Sequence, residues 1–216
     1  MTLKDKRSIA VEGPIGAGKT SLARLLAREL GYELLLEDVE ANPFLPGFYL
    51  EPARHAFATQ VFFLLSRYQQ QRRLRQQDLF SGGVVSDYLF AKDRIFANLT
   101  LSREEISLYA RLAELVEREA ATPDAVVYLQ ASTEALLARI RARGRVFERD
   151  ITADYLGALN EAYNFFFFHY RAAPLLVVNT DHCDFSGRRR DFEELLRQLG
   201  ELGEGTRYLR FAPGES

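Results

Sequence analysis

One eight-residue stretch near the amino terminus has the residue types and spacing of a phosphate-binding loop. Residues 13–20, Gly-Pro-Ile-Gly-Ala-Gly-Lys-Thr, match the pattern G-x-x-x-x-G-K-[ST]. Glycines let the backbone turn its N–H groups toward phosphate oxygens at positions where side chains would clash. In such a loop Lys19 contacts the β- and γ-phosphates and the Thr20 hydroxyl holds Mg²⁺. The stretch therefore predicts a nucleoside triphosphate site.

The segments around this loop predict the elements that position it. An apolar strand over residues 8–12 precedes the loop, and a helix from about residue 20 to residue 30 follows it. The amino-terminal end of that helix presents its positive dipole to the same anion. The predicted triphosphate site consists of Gly13, Pro14, Ile15, Gly16, Ala17, Gly18, Lys19, Thr20 and Ser21.

Short apolar segments alternate with amphipathic segments along the rest of the chain. We predict further strands at residues 33–37, 84–87, 125–129 and 175–178, and helices at 59–80, 102–120, 133–143, 152–170 and 188–199. Residues 39–57 contain three prolines and are expected to be mostly irregular. Five buried strands alternating with helices are typical of an α/β fold, a parallel sheet with helices on both faces. We expect one domain over residues 1–203 and a tail over residues 204–216.

Composition excludes several classes of function. The 28 Lys and Arg residues nearly balance the 30 Asp and Glu residues, which argues against binding a nucleic-acid polymer over a broad surface. The single cysteine, Cys183, excludes an internal disulfide framework and a Cys-rich zinc site. The sequence shows neither a membrane-spanning apolar run nor a signal peptide, so we expect no membrane partner and a cytoplasmic location.

Two further features suit transfer of a phosphoryl group. Arg139, Arg141, Arg143 and Arg145 fall within RIRARGR and could form a lid that neutralises charge on transferring phosphates, although a solvated charged face remains an alternative. Asp87, at the end of the predicted third strand, could hold Mg²⁺ together with Thr20. The guanine-specifying Asn-Lys-x-Asp segment of switch GTPases is absent from the sequence, so a small-molecule kinase is the favoured interpretation.

Five segments together resemble the deoxynucleoside kinase family, in particular bacterial members that act on deoxyadenosine, deoxyguanosine or deoxycytidine. They are GPIGAGKTSLA, LLEDVEANPFL, FATQVFFLLSR, SDYLFAKDRIFA and RIRARGRVFE, and the resemblance extends from about residue 9 to residue 192. It implies a P-loop kinase fold with an Arg-rich lid, ATP as phosphate donor with Mg²⁺, and the 5′-hydroxyl of a deoxynucleoside as acceptor. It also implies a role in nucleotide salvage and a homodimer.

The resemblance assigns the deoxynucleoside site to particular residues. Glu37, at the end of the second strand, accepts the proton of the 5′-hydroxyl, with Lys19 and the lid arginines neutralising the developing charge. Gln60, Arg67 and Asp93 recognise the edge of the base, and Phe96 stacks on it. Family members that prefer thymidine tend to lack this Asp, so dA, dG and dC are the expected substrates.

Two other groups of residues follow from the same resemblance. Tyr49 and Glu148 are similar to the pair that holds the sugar 3′-hydroxyl, with Tyr49 crowding a ribose 2′-hydroxyl. Asp184 and Phe185 resemble the loop that holds the ATP adenine, where Phe185 and Arg143 would lie on either side of the ring.

One departure from the family concerns the residue that would orient the acceptor hydroxyl. Familiar members carry an arginine immediately after the acidic residue that ends strand three, and this chain has Tyr88 there; Arg94 is a candidate substitute. A nucleoside monophosphate kinase and an inactive nucleotide-binding module therefore remain alternatives. Retention of Glu37, Asp87 and the lid argues against the inactive module.

Overall fold

The elements of the protein are described in a computed structural model covering residues 3–77, 82–117 and 121–212. The strands are β1 (Ser8–Glu12), β2 (Glu33–Leu35), β3 (Val84–Ser86), β4 (Ala125–Gln130), β5 (Leu175–Asn179) and β6 (Thr206–Leu209). The helices are α1 (Lys19–Leu30), α2 (Leu45–Leu50), α3 (Pro52–Gln77), α4 (Asp93–Thr100), α5 (Arg103–Glu117), α6 (Thr133–Arg143), α7 (Ala153–His169) and α8 (Arg189–Gly200). Short 3₁₀ turns span Leu3–Asp5, Phe90–Lys92 and Val146–Glu148.

All six strands form one parallel sheet in the order β2-β3-β1-β4-β5-β6. The predicted α/β class and parallel sheet are confirmed. Central strand β1 pairs with β3 on one side and β4 on the other, so the connections leave it in opposite directions. In such sheets ligands bind beyond the carboxyl ends of the strands at this switch point. The loop that follows β1 lies at that position.

The prediction of five strands was wrong. The sixth strand, β6, pairs with β5 inside the segment that we expected to be a tail. Its sequence, Thr-Arg-Tyr-Leu, has no apolar run, and only Leu209 is buried. An edge strand is stabilised largely by backbone hydrogen bonds to its neighbour, which side-chain patterning does not reveal.

The proline-rich segment over residues 39–57 was also predicted incorrectly, because it contains α2 and the start of α3. Pro46 lies in the first turn of α2, and Pro52 is the first residue of α3. A proline is tolerated there because its missing N–H would have no partner within the helix. Helix α4 was not predicted, and the expected helical residues 78–80 and 118–120 lie outside the described residues.

Buried apolar side chains form two clusters. The larger includes Val11, Val127 and Val178 in the centre of the sheet, with helices packed against it. The second joins α2, α3, α4 and α5 through residues such as Phe48 and Phe63. Side chains from both clusters line one cleft, so the core itself forms the walls of the site. Among the described residues, no helix combines the length and apolarity needed to cross a bilayer.

Candidate active site

The predicted phosphate-binding loop connects β1 to α1, as the motif requires. Gly16 and Gly18 have left-handed backbones, with φ of 86° and 98°. A Cβ atom on Gly16 would lie 2.8 Å from the carbonyl oxygen of Leu136, so a larger residue would disturb both the loop and α6. The loop therefore requires glycine at this position. Its strand–loop–helix setting fits a triphosphate.

Lys19 lies in the first turn of α1 and is held by its own loop. Its Nζ donates to the carbonyl oxygens of Gly13 (2.6 Å) and Pro14 (3.0 Å). Burial lowers the pKa of Lys19 to about 8; Glu12 opposes this change and the neighbouring Lys92 adds to it. Phosphate oxygens would relieve the loss of hydration and favour the charged form. The ammonium is thus well suited to an anionic ligand.

Thr20 and Asp87 bring two oxygens together beside the loop. The Thr20 Oγ1 donates to Asp87 Oδ2 at 2.5 Å, and Asp87 Oδ1 accepts from the backbone N–H of Glu37 at 2.8 Å. Among the described residues, no group of three or more His, Cys, Asp or Glu side chains could hold a metal. Mg²⁺ commonly binds one or two protein oxygens and completes its shell with phosphate oxygens and water. The Thr20–Asp87 pair fits that kind of site.

The Glu37 carboxylate follows β2 and lies between two cations. The Arg67 Nε donates to Oε1 at 2.6 Å and its Nη2 bonds the same oxygen, while the Lys92 Nζ donates to Oε2 at 2.7 Å. Burial alone would raise the pKa of Glu37, but Arg67 and then Lys92 outweigh it and hold the pKa at about 2. Glu37 is therefore an anion at neutral pH. It lines the same cleft as Lys19, which has a volume of about 330 Å³.

Most of the residues expected to recognise the base line this cleft, and one lies behind its wall. Gln60 and Arg67 project from α3 into the cleft, and both are buried. Asp93, the first residue of α4, forms a buried ion pair with Arg67 behind the cleft wall. Arg67 thus forms ion pairs with both Asp93 and Glu37. Phe96 also lines the cleft.

The residues expected around the sugar line the same cleft. Glu148 is buried and accepts from Arg143 Nη2 at 2.7 Å, and Arg145 Nη1 lies 3.6 Å from it. Tyr49 also lines the cleft, and burial raises the pKa of its phenol well above the usual value. Two of the predicted lid arginines therefore face the site, both tied to Glu148.

The lining of this cleft does not include the predicted site residues Arg139, Asp184 and Phe185. Arg139 donates to Thr180 at the end of β5, at 2.9 Å to the hydroxyl and 2.5 Å to the carbonyl. Phe185 packs edge-to-face on Phe211 at 5.9 Å, and Asp184 accepts backbone N–H groups of its own loop. The structure therefore does not bring Phe185 to Arg143. A catalytic role for Arg139 and an adenine site at Asp184 and Phe185 stay predictions.

The sequence analysis did not identify Lys92. Arg94, the candidate substitute for the missing arginine, is exposed and lines a separate groove beside α7. Lys92 instead lies buried against Glu37, in the turn between β3 and α4. The one available signal was a lysine two residues beyond the apolar pair Leu89-Phe90. Spacing alone cannot show which side chain of that turn enters the cleft.

Comparison with known proteins identifies the family of this chain. The family model for deoxynucleoside kinase matches residues 9–202. The chain is 37% identical over 199 residues to the deoxyguanosine kinase of Bacillus subtilis, covering 90% of this chain and 96% of that one. It is 30% identical over 207 residues to the deoxyadenosine kinase of Lactobacillus acidophilus, covering 89% and 94%. The structure of deoxyadenosine kinase from M. mycoides with bound dCTP aligns with a TM-score of 0.76 at 26% identity, covering 90% of this chain and 99% of that one. With a family model spanning nearly the whole chain and relatives similar over their full lengths, the chain belongs to the deoxynucleoside kinase family.

Proposed function

We propose that this kinase transfers the γ-phosphoryl group of ATP to the 5′-hydroxyl of a deoxynucleoside, as a step of nucleotide salvage. The observation that carries the proposal is that Lys19 and Glu37 line one cleft, which also holds the polar edge of Gln60 and Arg67. A triphosphate at the loop and a nucleoside at Gln60 would place the hydroxyl between Lys19 and Glu37. Neither group would need to move far to act.

Groups that line the cleft neutralise the negative charge of the phosphates. Lys19 and the loop N–H groups bind the β- and γ-phosphates, and Arg143 and Arg145, which line the same cleft, neutralise charge on the transferring group. Thr20 and Asp87 would hold Mg²⁺, which would supply further neutralisation of the phosphate charge. Phosphoryl transfer depends mainly on positioning and electrostatics, so these residues account for most of the catalysis.

Glu37 supplies the acceptor-side proton chemistry. The hydroxyl oxygen forms a bond to the γ-phosphorus while its proton passes to the Glu37 carboxylate. The bond from phosphorus to the bridging oxygen breaks, and ADP leaves with that electron pair. A carboxylate held at a pKa of about 2 is a weak base. It therefore accepts the proton late, once the hydroxyl is acidified by its new bond to phosphorus.

We further propose that dA, dG or dC is preferred over thymidine. The Asp93 carboxylate pairs with the Arg67 guanidinium, which lines the cleft together with Gln60, and Asp93 resembles the acidic residue that thymidine-preferring family members tend to lack. Among the relatives, one is named for deoxyguanosine and one for deoxyadenosine. Tyr49 and Glu148 hold the 3′-hydroxyl, with Tyr49 positioned to crowd a ribose.

A homodimer is part of the proposal. Helix α7 leaves Phe165 and Phe168 70% and 68% exposed, although Phe167 between them is buried against Tyr128. The groove between α4 and α7 includes Phe165. Large exposed aromatic side chains in one patch are typical of an interaction surface. Light scattering of the purified protein measures its oligomeric state. A monomer at all concentrations would contradict the proposed homodimer.

One panel tests the reaction. Purified protein with Mg·ATP is offered each deoxynucleoside, each ribonucleoside and dTMP, with Lys19→Met as the inactive control. We expect deoxynucleoside 5′-monophosphates from dA, dG or dC. Phosphorylation of dTMP without any nucleoside would instead identify a monophosphate kinase. ATP binding with no product from any acceptor would identify an inactive nucleotide-binding module.

A further inference from the structure

Counting acceptor positions on Glu37 shows where an acceptor hydroxyl can bind. Each carboxylate oxygen accepts about two hydrogen bonds. In the described part of the chain, Arg67 donates two to Oε1, through Nε and Nη2, and Lys92 donates one to Oε2. Oε1 is therefore fully used and Oε2 has one position left. A hydroxyl that donates to Glu37 must share Oε2 with the Lys92 ammonium.

Lys92 is fixed next to Glu37 by its place in the fold and by burial. It ends the turn Phe90–Lys92 after β3, and its side chain is 4% exposed. A buried ammonium is costly unless it is paired, and the Glu37 carboxylate is its partner at 2.7 Å. The Lys92 side chain also lines the cleft, so a substrate bound there would meet it. Lys92 therefore both forms the salt bridge with Glu37 and lines the cleft.

Tyr88 cannot supply this cation. Its ring is buried, and the Arg67 guanidinium lies 5.8 Å from the ring centroid. The Tyr88 ring therefore packs against the Arg67 guanidinium. Arg67 in turn forms ion pairs with Glu37 and Asp93. Lys92 is the cation on the other carboxylate oxygen, the one that retains a free acceptor position.

We propose that Lys92 is the positioning residue of the acceptor side, which orients Glu37 so that the free position of Oε2 meets the 5′-hydroxyl. The inference deepens the proposed function and rests on it. The O5′–H proton passes to Oε2 as the O5′–P bond forms and the P–O bond to ADP breaks. Lys92 stays protonated throughout and acts by holding Oε2 in place.

The experiment compares wild type, Lys92→Met, Lys92→Arg and Arg94→Met. Turnover of the best deoxynucleoside is measured at pH 7 and saturating ATP, with nucleotide binding measured by calorimetry. For Lys92→Met we expect kcat to fall by on the order of 10²-fold while nucleotide affinity stays near wild type. Lys92→Arg should recover much of kcat. Arg94→Met removes a cation two residues away that lines a separate groove, and it should keep the wild-type kcat.

The outcomes separate this inference from the proposed function. A wild-type protein that phosphorylates no deoxynucleoside overturns the proposed function and this inference with it. An active wild type with Lys92→Met matching it in kcat overturns the inference alone. Lost activity that arginine does not rescue, or that comes with lost nucleotide affinity, shows a merely structural residue, which also overturns it. If Lys92→Met does not fold, Lys92→Gln is measured by the same criteria.

Discussion

Replacing Glu37 by glutamine should affect turnover and stability together. The substitution keeps the shape of the side chain but removes the charge between Arg67 and Lys92. The wild-type carboxyl has its pKa lowered from about 4.5 to about 2 in the folded protein. One pKa unit corresponds to about 1.4 kcal/mol, so ionised Glu37 contributes about 3 kcal/mol to the free energy of unfolding at pH 7. That agrees with the ~3–5 kcal/mol typical of breaking a buried ion pair.

The sign of the pH dependence follows from the lowered pKa. A carboxyl that is more acidic when folded stabilises the protein fully above the pKa of the unfolded chain. This stabilisation is lost as the pH falls from about 4.5 toward 2. The difference in stability between wild type and Glu37→Gln should therefore shrink through the same interval.

Turnover of Glu37→Gln should fall by on the order of 10²-fold or more, because an amide cannot accept the hydroxyl proton. Affinity for ATP should stay near wild type, since Glu37 forms no part of the phosphate-binding loop. Glu40→Gln is the matched control: Glu40 is 72% exposed and lies 3.8 Å from Arg145, an exposed pair worth at most ~1 kcal/mol. It should match wild type in turnover.

Urea unfolding at pH 7 and at pH 3, with a coupled kinase assay on the same samples, measures all of these effects. If Glu37→Gln unfolds like Glu40→Gln and turns over like wild type, the paired-carboxylate argument is refuted.

Three further predictions concern the rest of the site. Asp93→Ala should raise the kcat/KM for thymidine relative to deoxyguanosine, because thymidine-preferring family members tend to lack this carboxylate and its loss frees the Arg67 guanidinium at the cleft; an unchanged ratio would remove Asp93 from base recognition. Gly16 and Gly205 have nearly equal φ of 86° and 85°, but an added Cβ would meet the Leu136 carbonyl at Gly16 and nothing within 4 Å at Gly205. Replacing either glycine by alanine should lower the free energy of unfolding by ~1–2 kcal/mol through backbone strain, and Gly16→Ala should lower it by ~1–3 kcal/mol more through overpacking. Equal losses of stability in urea unfolding would contradict this. Because burial lowers the pKa of Lys19 to about 8, ATP affinity measured by calorimetry should weaken as the pH rises above 8, and a flat profile to pH 10 would argue against it.

Several elements could be predicted from local sequence because their physics is local. Residues 13–20 carry the glycines and the lysine that form the loop, and α6 was predicted with its observed bounds, Thr133–Arg143. Glu37 follows directly after a strand, which places it at the carboxyl edge of a parallel sheet. A structure with Glu37 turned into solvent would have contradicted the whole site, and the carboxylate instead faces the cleft.

Other features depend on long-range contacts, which local sequence does not show. The edge strand β6 is stabilised by β5, about 30 residues earlier in the chain, and its own side chains are mostly exposed. Arg139 was grouped with the lid on spacing, but its position on α6 directs it to Thr180. Side chains four residues apart share a helix face, yet the packing of that helix decides what the face meets.

The sequence by itself determined that a phosphate-binding-loop motif follows the first strand of an α/β chain and that a carboxylate follows the second, because both are local patterns. Only the tertiary structure decided that Lys92 and Arg67 divide the two oxygens of Glu37 between them. The three residues come from segments about 30 and 55 positions apart. Their electrostatic coupling depends on distances of 2.6–2.7 Å, which exist only once α3 and the turn after β3 pack against the end of β2.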